Sequence, residues 1–297
     1  MTLEQLRIFV AVAERQHVTQ AAAALNLAQS AASHAIAALE ARHQAKLFSR
    51  VGRRIELTEA GQVFLAEARA VLARVEAAEL ALSDFSGLKR GTLSVQASQT
   101  IASYWLPRHL VVFKRAYPKI QIRLTIGNTA QVAAAVESGT AELGFIEGTV
   151  ENAHLACMPV GRDQLLVVVG PEHPWAEGNA LTPADLAAGE WVLREPGSGT
   201  RSAFEEALAS FGIKPEALRV CLELPSNEAV RAAVESSLAA TAISASVAAP
   251  SIEAGLLCRA QFHLPERDFC ALRHRGRYLP RPAEALMEIV SNAPRAV

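Results

Sequence analysis

The stretch that decides the fold of the amino-terminal part of the chain is Ala28-Gln29-Ser30-Ala31-Ala32-Ser33-His34-Ala35-Ile36-Ala37-Ala38-Leu39-Glu40. On a helical wheel one side of this stretch is apolar and carries Ala28, Ala32, Ala35, Ile36 and Leu39. The opposite side is small or hydrogen-bonding and carries Gln29, Ser30, Ser33, His34 and Ala37. Glutamine amides pair with adenine edges, serine hydroxyls donate and accept, and an alanine methyl can contact thymine. We therefore expect a helix that reads DNA bases with Gln29, Ser30, Ser33 and His34.

The flanking segments fit a DNA-binding unit. Residues 19–25 read as a short Ala-rich helix, and Asn26-Leu27 as a tight turn. Five basic residues follow without an acidic residue between them: Arg42, Lys46, Arg50, Arg53 and Arg54. A solvated charge run is the alternative, but after a helix pair we expect a β-hairpin wing at 52–58, with Arg50, Arg53 and Arg54 holding phosphates. Residues 1–58 are thus predicted to form a winged helix-turn-helix.

Composition sets the class of the remaining chain. Its 297 residues, 51% hydrophobic and 20% charged, suffice for two or three domains with sizeable cores. The net charge of −1 indicates no partner, whereas seven basic against five acidic residues in the first 60 indicate a local phosphate-binding patch. Without a membrane-length apolar run or an export signal, we expect a cytoplasmic protein with no membrane partner. The four cysteines are interpreted as buried free thiols, with a redox pair as the alternative.

Residues 59–88 are predicted to form a linker helix. Apolar residues recur there in steps of four and three, at Phe64, Ala68, Val71, Val75, Ala78, Leu82 and Phe85. Such a heptad seam favours a dimer, which would place two recognition helices on one two-fold axis to read a palindrome. The alternative is a helix that packs on its own domain.

Beyond Gly91 the chain alternates between strand and helix patterns. Strands are predicted at 92–97, 120–126, 143–146, 164–169 and 191–193, and helices at 100–117, 129–138, 200–211, 227–235 and 246–254. This alternation predicts an α/β sheet with crossover connections.

Four strand-to-helix junctions are rich in small polar residues. They lie at 98–100, 127–129, 197–201 and 226–228, and the candidate effector-binding residues there are Ser98, Thr100, Asn128, Thr129, Ser198, Gly199, Thr200, Arg201 and Asn227. Simple helix capping is the alternative for each junction. Because ligands bind at the carboxyl ends of strands and helix amino termini attract anions, four such junctions predict a small anionic effector. Glu147 would reach the same cleft, and we expect it to pair with Arg201 until an anion displaces it.

Residues 1–65 resemble the DNA-binding domain of the LysR-type transcriptional regulators. The matching segments are Leu3-Glu4-Gln5-Leu6-Arg7-Ile8-Phe9, Thr19-Gln20-Ala21-Ala22, Ser33 with Ile36 and Leu39-Glu40, Leu47-Phe48-Ser49-Arg50, and Leu57-Thr58-Glu59-Ala60-Gly61. The sequence departs from the family at Ala28, where a capping serine is usual, at Ser30, where proline is frequent, and at Ser237-Leu238-Ala239, where relatives often carry Gly-Leu-Gly.

The resemblance implies a two-lobed effector-binding domain at 91–297, shaped like a periplasmic solute-binding protein. Lobe one would contain residues 91–161 and 267–297, and lobe two residues 162–266. It also implies double-stranded DNA as partner, a tetramer, RNA polymerase as a further partner, and an effector that alters DNA spacing or bending. Residues 126–129, 144–148 and 197–201 are similar to the branch that governs inorganic sulfur and carbon-fixation genes, where effectors are sulfur oxyanions or phosphorylated metabolites.

Other functions fit the sequence less well. An enzyme is disfavoured because Ser198 lies outside a Gly-x-Ser-x-Gly elbow and because His154, His173 and His263 are scattered. No cofactor or metal site is expected from the spacing of histidines and cysteines. A free solute-binding protein would lack the DNA-reading segment. Oxidation sensing through a cysteine pair is the remaining alternative, and a peroxide-induced disulfide would be its signature.

Overall fold

The computed structural model describes residues 1–51, 54–85 and 91–292. The chain divides into two compact units, Met1–Leu82 and Ser83–Val297. Gly52 and Arg53 of the predicted wing, the end of the predicted linker and residues 293–297 lie outside the described residues, as do the side chains of Arg54 and Phe85. In the part of the chain that is described, no helix combines the length and apolarity needed to cross a membrane.

The first unit is a winged helix-turn-helix followed by a long helix, which confirms the predicted fold. Its elements are α1 (Leu3–Arg15), α2 (Val18–Ala24), α3 (Gln29–His43), β1 (Phe48–Val51), β2 (Arg54–Leu57) and α4 (Glu59–Phe85). Strands β1 and β2 pair antiparallel, with Phe48 opposite Leu57. The core of the unit is formed by apolar side chains from all three amino-terminal helices, including Leu6, Phe9, Ala21, Ala32 and Leu39.

Local capping explains where these helices begin and turn. Thr2 caps α1 in a capping box with Gln5, three residues along the chain. Asn26 adopts a left-handed conformation with φ 56°. Asparagine tolerates this conformation better than most residues, because its short polar side chain can bond locally. The tight turn predicted at Asn26-Leu27 is thus confirmed.

Helix α4 packs on its own unit at one end and exposes its apolar seam farther along. Ala68 is buried, and the rings of Phe9 and Phe64 lie 4.8 Å apart. In contrast, Val71 is 39% exposed and Leu82 is 71% exposed. The alternative of packing on the helix's own domain therefore holds for the first seam positions, Phe64 and Ala68, whereas Val71 and Leu82 present apolar surface to solvent.

The second unit is built on one eight-stranded mixed sheet. Its elements are β3 (Gly91–Ser98), a π-helical turn (Ile101–Trp105), α5 (Leu106–Ala116), β4 (Ile120–Gly127), α6 (Thr129–Ser138), β5 (Leu143–Glu147), β6 (Leu155–Val169), α7 (Pro183–Ala188), β7 (Glu190–Arg194), α8 (Gly199–Ser210), β8 (Arg219–Leu224), α9 (Asn227–Glu235), β9 (Ala240–Ser244), α10 (Ala245–Glu253), β10 (Cys258–His274) and α11 (Arg281–Asn292). The strand order is β4-β3-β5-β10-β6-β9-β7-β8.

Two long strands divide this sheet into two lobes. Strands β6 and β10, of 15 and 17 residues, pair with each other along their lengths. Strand β5 pairs with the carboxyl half of β10, and β9 pairs with the carboxyl half of β6. Asp163 and Arg267 face each other where the strands pass from one lobe to the other. The two-lobed α/β architecture is therefore confirmed.

Several strands were absent from the sequence-based prediction. Strands β8, β9 and β10, the first half of β6 and helix α11 were all missed. The five residues of β9 are buried but mostly small, and small residues have weak strand propensity. Strand β10 contains Pro265, which lies at an irregularity of the β6–β10 register, where a strand tolerates proline. The helix predicted at 100–117 begins with a π-helical turn.

The interpretation of the four cysteines as buried free thiols is only partly correct. All four are free, but only Cys270 is buried, whereas Cys157 and Cys221 are exposed. Both exposed residues lie on strand segments that have a partner strand on one side only. Burial raises the pKa of the Cys270 thiol, and a hydrogen bond with Cys157 raises it further. A protonated thiol is a poor nucleophile, which disfavours this pair as a redox sensor.

Candidate functional site

The exposed side of α3 is the candidate base-reading surface. Gln29, Ser30 and His34 are exposed and Ser33 is half-buried, whereas Ala32 and Leu39 on the other side are buried. Apart from Ala28, which is exposed at the N-cap, the two faces therefore agree with the helical wheel. The Nε2 of Gln29 donates to Oγ of Ser33 at 3.0 Å. A primary amide has a second N–H and a carbonyl oxygen, so this bond orients Gln29 and leaves both groups for a base edge.

Helix α3 begins without a side-chain cap. Ala28 occupies the N-cap position in an extended conformation and makes no capping hydrogen bond. A missing cap typically lowers helix stability by about 1 kcal/mol. The first-turn N–H groups of a helix without a side-chain cap can instead bind an anion such as a DNA phosphate.

Glu40 attaches the wing to α3 and was not identified as a functional residue from the sequence. Its side chain is buried, and Oε1 accepts from the backbone N–H of Leu47 at 2.9 Å and of Phe48 at 3.2 Å. Its Oε2 accepts from Nζ of Lys46 at 2.7 Å. Burial raises the pKa of the Glu40 carboxyl, but these hydrogen bonds and the charge of Lys46 outweigh burial and lower it overall. Lys46, counted in the predicted basic patch, therefore forms an ion pair within the unit.

Three arginines of the wing were predicted to bind phosphates, and the structure describes the side chain of one of them, Arg50. Arg50 is exposed on β1, opposite Ile55 on β2. The backbone of Arg54 pairs with Val51, and its side chain and all of Arg53 are outside the described residues.

In the second unit, the four polar junctions meet between the two lobes. The N–H of Ala130 donates to the carbonyl of Gly197 at 3.2 Å. Nδ2 of Asn227 donates to Oγ1 of Thr100 at 3.0 Å, and the N–H of Asn227 donates to Oε1 of Gln99 at 2.7 Å. Strand ends and helix amino termini that are distant in sequence thus line one interlobe cleft, as expected from the four polar junctions.

The cleft is lined by buried hydroxyl and amide groups. The buried hydroxyl and amide residues among those predicted are Ser98 (2% exposed), Thr100 (1%), Thr129 (8%), Ser198 (2%), Thr200 (3%) and Asn227 (1%). Among the described residues, the buried hydroxyl of Ser98 has no hydrogen-bond partner. Asn128 caps α6 and also donates from Nδ2 to Oε1 of Glu195 in the other lobe at 3.2 Å. The cleft therefore combines satisfied polar groups with one unsatisfied donor.

The predicted ion pair between Glu147 and Arg201 is wrong. Arg201 donates to Glu205 at 2.7 Å and to Glu223 at 2.6 Å. Arg201 and Glu205 are one helical turn apart, and residues at this spacing are neighbours on a helix surface. Glu147 is 3% exposed and accepts from Oγ1 of Thr129 at 3.4 Å.

Gly199 lets the start of α8 approach Glu147 closely. A Cβ atom at Gly199 would lie 2.4 Å from Oγ1 of Thr129 and 2.9 Å from Oε2 of Glu147. Only glycine fits this contact. It brings the Glu147 carboxylate to the amino terminus of a helix, where the helix dipole stabilises negative charge.

Two buried arginines complete the cleft, and neither was predicted. Nε and Nη2 of Arg267 donate to Oδ2 of Asp163 at 2.8 and 2.6 Å, and Nη1 donates to Thr200 at 3.1 Å. Oγ of Ser244 donates to the other oxygen of Asp163 at 2.7 Å. Because these partners come from distant segments, no spacing in the sequence indicates the cluster.

Arg194 is the second buried arginine, at 6% exposure. Nε and Nη2 of Arg194 donate to the two carboxylate oxygens of Glu195 at 2.8 and 3.0 Å, and Nη1 donates to Asn227 at 2.6 Å. Burial raises the pKa of the Glu195 carboxyl, but the hydrogen bonds and charge of Arg194 and the amide of Asn128 lower it overall. A chain of hydrogen bonds thus runs from Thr100 through Asn227, Arg194 and Glu195 to Asn128 and joins the lobes.

Known proteins share both parts of this architecture. The family model described as bacterial regulatory helix-turn-helix protein, lysR family, matches residues 3–62, and the LysR substrate binding domain matches residues 86–295. The chain is 34% identical over 300 residues to the uncharacterised HTH-type transcriptional regulator YeiE of Escherichia coli strain K12, with 99% of each chain covered. It is 32% identical over 292 residues to the probable RuBisCO transcriptional regulator of Cyanophora paradoxa, covering 97% of this chain and 90% of that one.

Solved structures agree in fold. The LysR family regulator CbnR superposes with a TM-score of 0.72 at 23% identity, with 98% of each chain covered. Full-length CbnR complexed with its target DNA gives a TM-score of 0.70 at 25% identity, covering 98% of this chain and 99% of that one. The Synechocystis PCC6803 CcmR regulatory domain in complex with 2-PG gives 0.61 at 22% identity, covering 67% of this chain and 95% of that one.

The helix-turn-helix and the two-lobed domain each match their own family model, and the curated relatives are similar over nearly the whole chain. Relatives named RuBisCO transcriptional regulators agree with the predicted similarity to the carbon-fixation branch. The chain therefore belongs to the LysR family of DNA-binding transcriptional regulators, with an amino-terminal helix-turn-helix domain and a carboxy-terminal effector-binding domain.

Proposed function

We propose that the protein binds an interrupted palindromic promoter site as an oligomer and that a small anion in the interlobe cleft controls this binding. The exposed polar side of α3 supports base reading by Gln29, Ser30, Ser33 and His34. The exposed position of Arg50 supports phosphate contacts, to which we assign Arg53 and Arg54 as well. Full-length CbnR, which is similar in fold, has been solved in complex with its target DNA.

Dimerisation through α4 is part of this proposal. The seam residues Val71 and Leu82 are 39% and 71% exposed, so α4 presents apolar seam surface to solvent at two positions about three turns apart. A second copy of the same helix would bury this seam and give two recognition helices related by a two-fold axis. Association of the effector-binding units would then form a tetramer, and RNA polymerase would contact the assembly on DNA.

Replacing Gln29 with alanine should weaken binding to the protein's own promoter region by about 1–3 kcal/mol, or roughly 5- to 150-fold. Gln29→Ala should lose affinity for the specific promoter DNA only. Arg50→Ala should lose affinity for all duplexes alike, and its slope of log binding constant against log salt concentration should be smaller in magnitude by about one. Fluorescence anisotropy at several salt concentrations measures both effects. Gln62→Ala, on the exposed side of α4, is the matched control and should bind as the wild type does. If Gln29→Ala and the wild type show the same ratio of affinities for promoter and unrelated duplexes, base reading by Gln29 is contradicted.

The anionic effector is supported above all by Ser98. Its hydroxyl is buried in the cleft and, among the described residues, has no partner. An oxyanion placed there would accept from this hydroxyl, from the hydroxyl of Thr100, and from N–H groups at the starts of α6 and α8, with Thr129 in the wall of the site. We assign Asn128, Ser198, Gly199, Thr200, Asn227 and Glu147 to the walls of the same site, and sulfur oxyanions or phosphorylated metabolites to its ligand class. The CcmR regulatory domain, similar in fold, holds 2-PG.

Replacing Ser98 with alanine should weaken effector binding by about 1.5–3 kcal/mol, because a hydrogen bond to a charged group is lost. Isothermal titration of the full chain with sulfite, sulfate, phosphate and a phosphorylated small acid measures the change. Ser210→Ala, at the far end of α8, is the control, because Oγ of Ser210 donates to the Ala207 carbonyl instead. Identical titrations for Ser98→Ala and wild type would rule out this placement of the effector.

A further inference from the structure

The two buried arginines of the cleft differ in how firmly their carboxylate partners are enclosed. The side chains of Arg267 and Asp163 are 4% and 5% exposed, so neither group can leave without opening the lobes. The side chain of Arg194 is 6% exposed, but that of its partner Glu195 is 27% exposed. Glu195 therefore has a path to solvent that Asp163 lacks.

The Glu195 carboxylate accepts hydrogen bonds from an arginine and an amide, donors that also suit an oxyanion. Its two oxygens accept from two nitrogens of the Arg194 guanidinium, a bidentate geometry that suits carboxylates, sulfates and phosphates alike. The amide of Asn128, in the other lobe, donates to Oε1 of the same carboxylate. Asn227 accepts from the remaining arm of Arg194 and holds the guanidinium in place.

We propose that Glu195 is an internal competitor of the effector. In the structure its carboxylate occupies Arg194 and Asn128, and an incoming oxyanion takes both donors while Glu195 turns to solvent. This inference rests on the proposed anion binding in the cleft. It adds that Arg194 is the side chain that binds the anion and that Glu195 controls access to Arg194. Displacement of Glu195 replaces the Asn128–Glu195 bond between the lobes, while the Asn227–Thr100 bond remains. Effector binding thereby changes one interlobe contact selectively, which is the differential interaction that a ligand needs to shift a two-state equilibrium.

The Glu195→Gln variant tests the proposal because the amide keeps the shape of the side chain and removes its charge. Sulfate and inorganic phosphate serve as probes, and the full chain is titrated by calorimetry and thermal shift against sodium chloride of equal ionic strength. We expect Glu195→Gln to bind at least one of these probes about tenfold or more tightly than the wild type, since its competing charge is gone. Replacing Arg194 with lysine in the same variant should abolish this gain, because lysine lacks the bidentate fork.

Glu205→Gln is the matched control. Glu205 also pairs with an arginine of this unit, Arg201, and its side chain is 30% exposed, close to the 27% of Glu195. This control should leave the affinity for sulfate and phosphate unchanged. Equal affinities of Glu195→Gln and wild type, or an equal gain in Glu205→Gln, would overturn the proposal.

The outcomes separate this inference from the proposed function. If the wild type binds an anion in a Ser98-dependent manner and Glu195→Gln binds it no more tightly, the effector site stands and the competitor fails. If only Glu195→Gln binds sulfate or phosphate, the competitor stands and the proposed effector class for the wild type fails. Should Glu195→Gln not fold, Glu195→Asp keeps the charge but shortens the side chain, and we expect a smaller gain of about threefold. No gain in that variant would again overturn the proposal.

Discussion

Replacing Arg267 with methionine should lower the free energy of unfolding of the second unit by about 3–5 kcal/mol, because it leaves Asp163 buried without its counter-charge. The Arg267–Asp163 pair is almost fully buried. The Arg267 guanidinium also donates a hydrogen bond to Thr200 in the first turn of α8. The three tryptophans, Trp105, Trp175 and Trp191, all belong to this unit. Urea denaturation of the full chain followed by tryptophan fluorescence therefore reports on this unit.

Arg162→Met is the control for this prediction. Arg162 lies one residue from Asp163 and pairs with Glu266 at 3.3 Å, but its side chain is 61% exposed. Exposed pairs contribute at most about 1 kcal/mol, so this variant should be nearly as stable as the wild type. A double variant, Asp163→Leu with Arg267→Met, should regain much of the loss, because neither charge is then left alone. A loss in Arg267→Met no larger than in Arg162→Met would show that the buried pair does not stabilise the lobe junction.

Replacing Glu40 with alanine should destabilise the first unit by about 3 kcal/mol. Two backbone N–H groups, of the buried Leu47 and of Phe48, would lose their acceptor, and each unsatisfied buried donor costs about 1–3 kcal/mol. The wing would also lose its attachment to α3, so specific DNA binding should fall with stability. Hydrogen exchange followed by mass spectrometry measures the effect directly, since the amides of Leu47 and Phe48 should lose protection. Glu56→Ala, exposed on β2, should change protection little.

The Glu40→Gln variant adds a pH test. Since the folded state lowers the pKa of Glu40, the charged carboxylate contributes stability at pH values above its unfolded pKa, which is near 4.5. That contribution is lost as pH falls through the lower folded-state pKa. Glu40→Gln should therefore be less stable than the wild type at neutral pH, and the difference should shrink as pH falls below that range. A difference that does not depend on pH would argue against a role for the charge.

Local periodicity made the DNA-binding unit predictable from the sequence. Whether a side chain of α3 faces the core or solvent depends on the helical repeat alone, so Ala32 and Gln29 were placed on the correct faces. The Thr2 capping box and the Asn26 turn likewise depend on residues within one turn. The role of Glu40 was not predicted because its partners, Leu47 and Phe48, are seven and eight residues away, where the next strand begins.

The meeting of the four polar junctions was predictable in outline. Polar residues after strands indicated which segments would lie together, because parallel strand ends meet at one edge of a sheet. The direction of Arg201 was predictable only in part, because Glu205 lies one helical turn along the chain but the second partner does not. Its partner Glu223 lies 22 residues away on β8, a strand that the sequence pattern did not reveal. A guanidinium on a first helical turn can point into a cleft or along the helix, and only the packed neighbour decides between them.

By itself, the sequence determined the recognition helix, the seam of α4 and the strand–helix alternation, because each depends on contacts between residues near in the chain. The tertiary structure alone decided the charges of the cleft. Asp163 and Arg267 are 104 residues apart and meet through the pairing of β6 with β10. Arg194 and Glu195 are neighbours in sequence, yet Asn128 reaches Glu195 from the other lobe and Asn227 reaches Arg194 from α9, 33 residues along the chain. Pairing over such separations depends on how the whole sheet is assembled, and no local repeat encodes it.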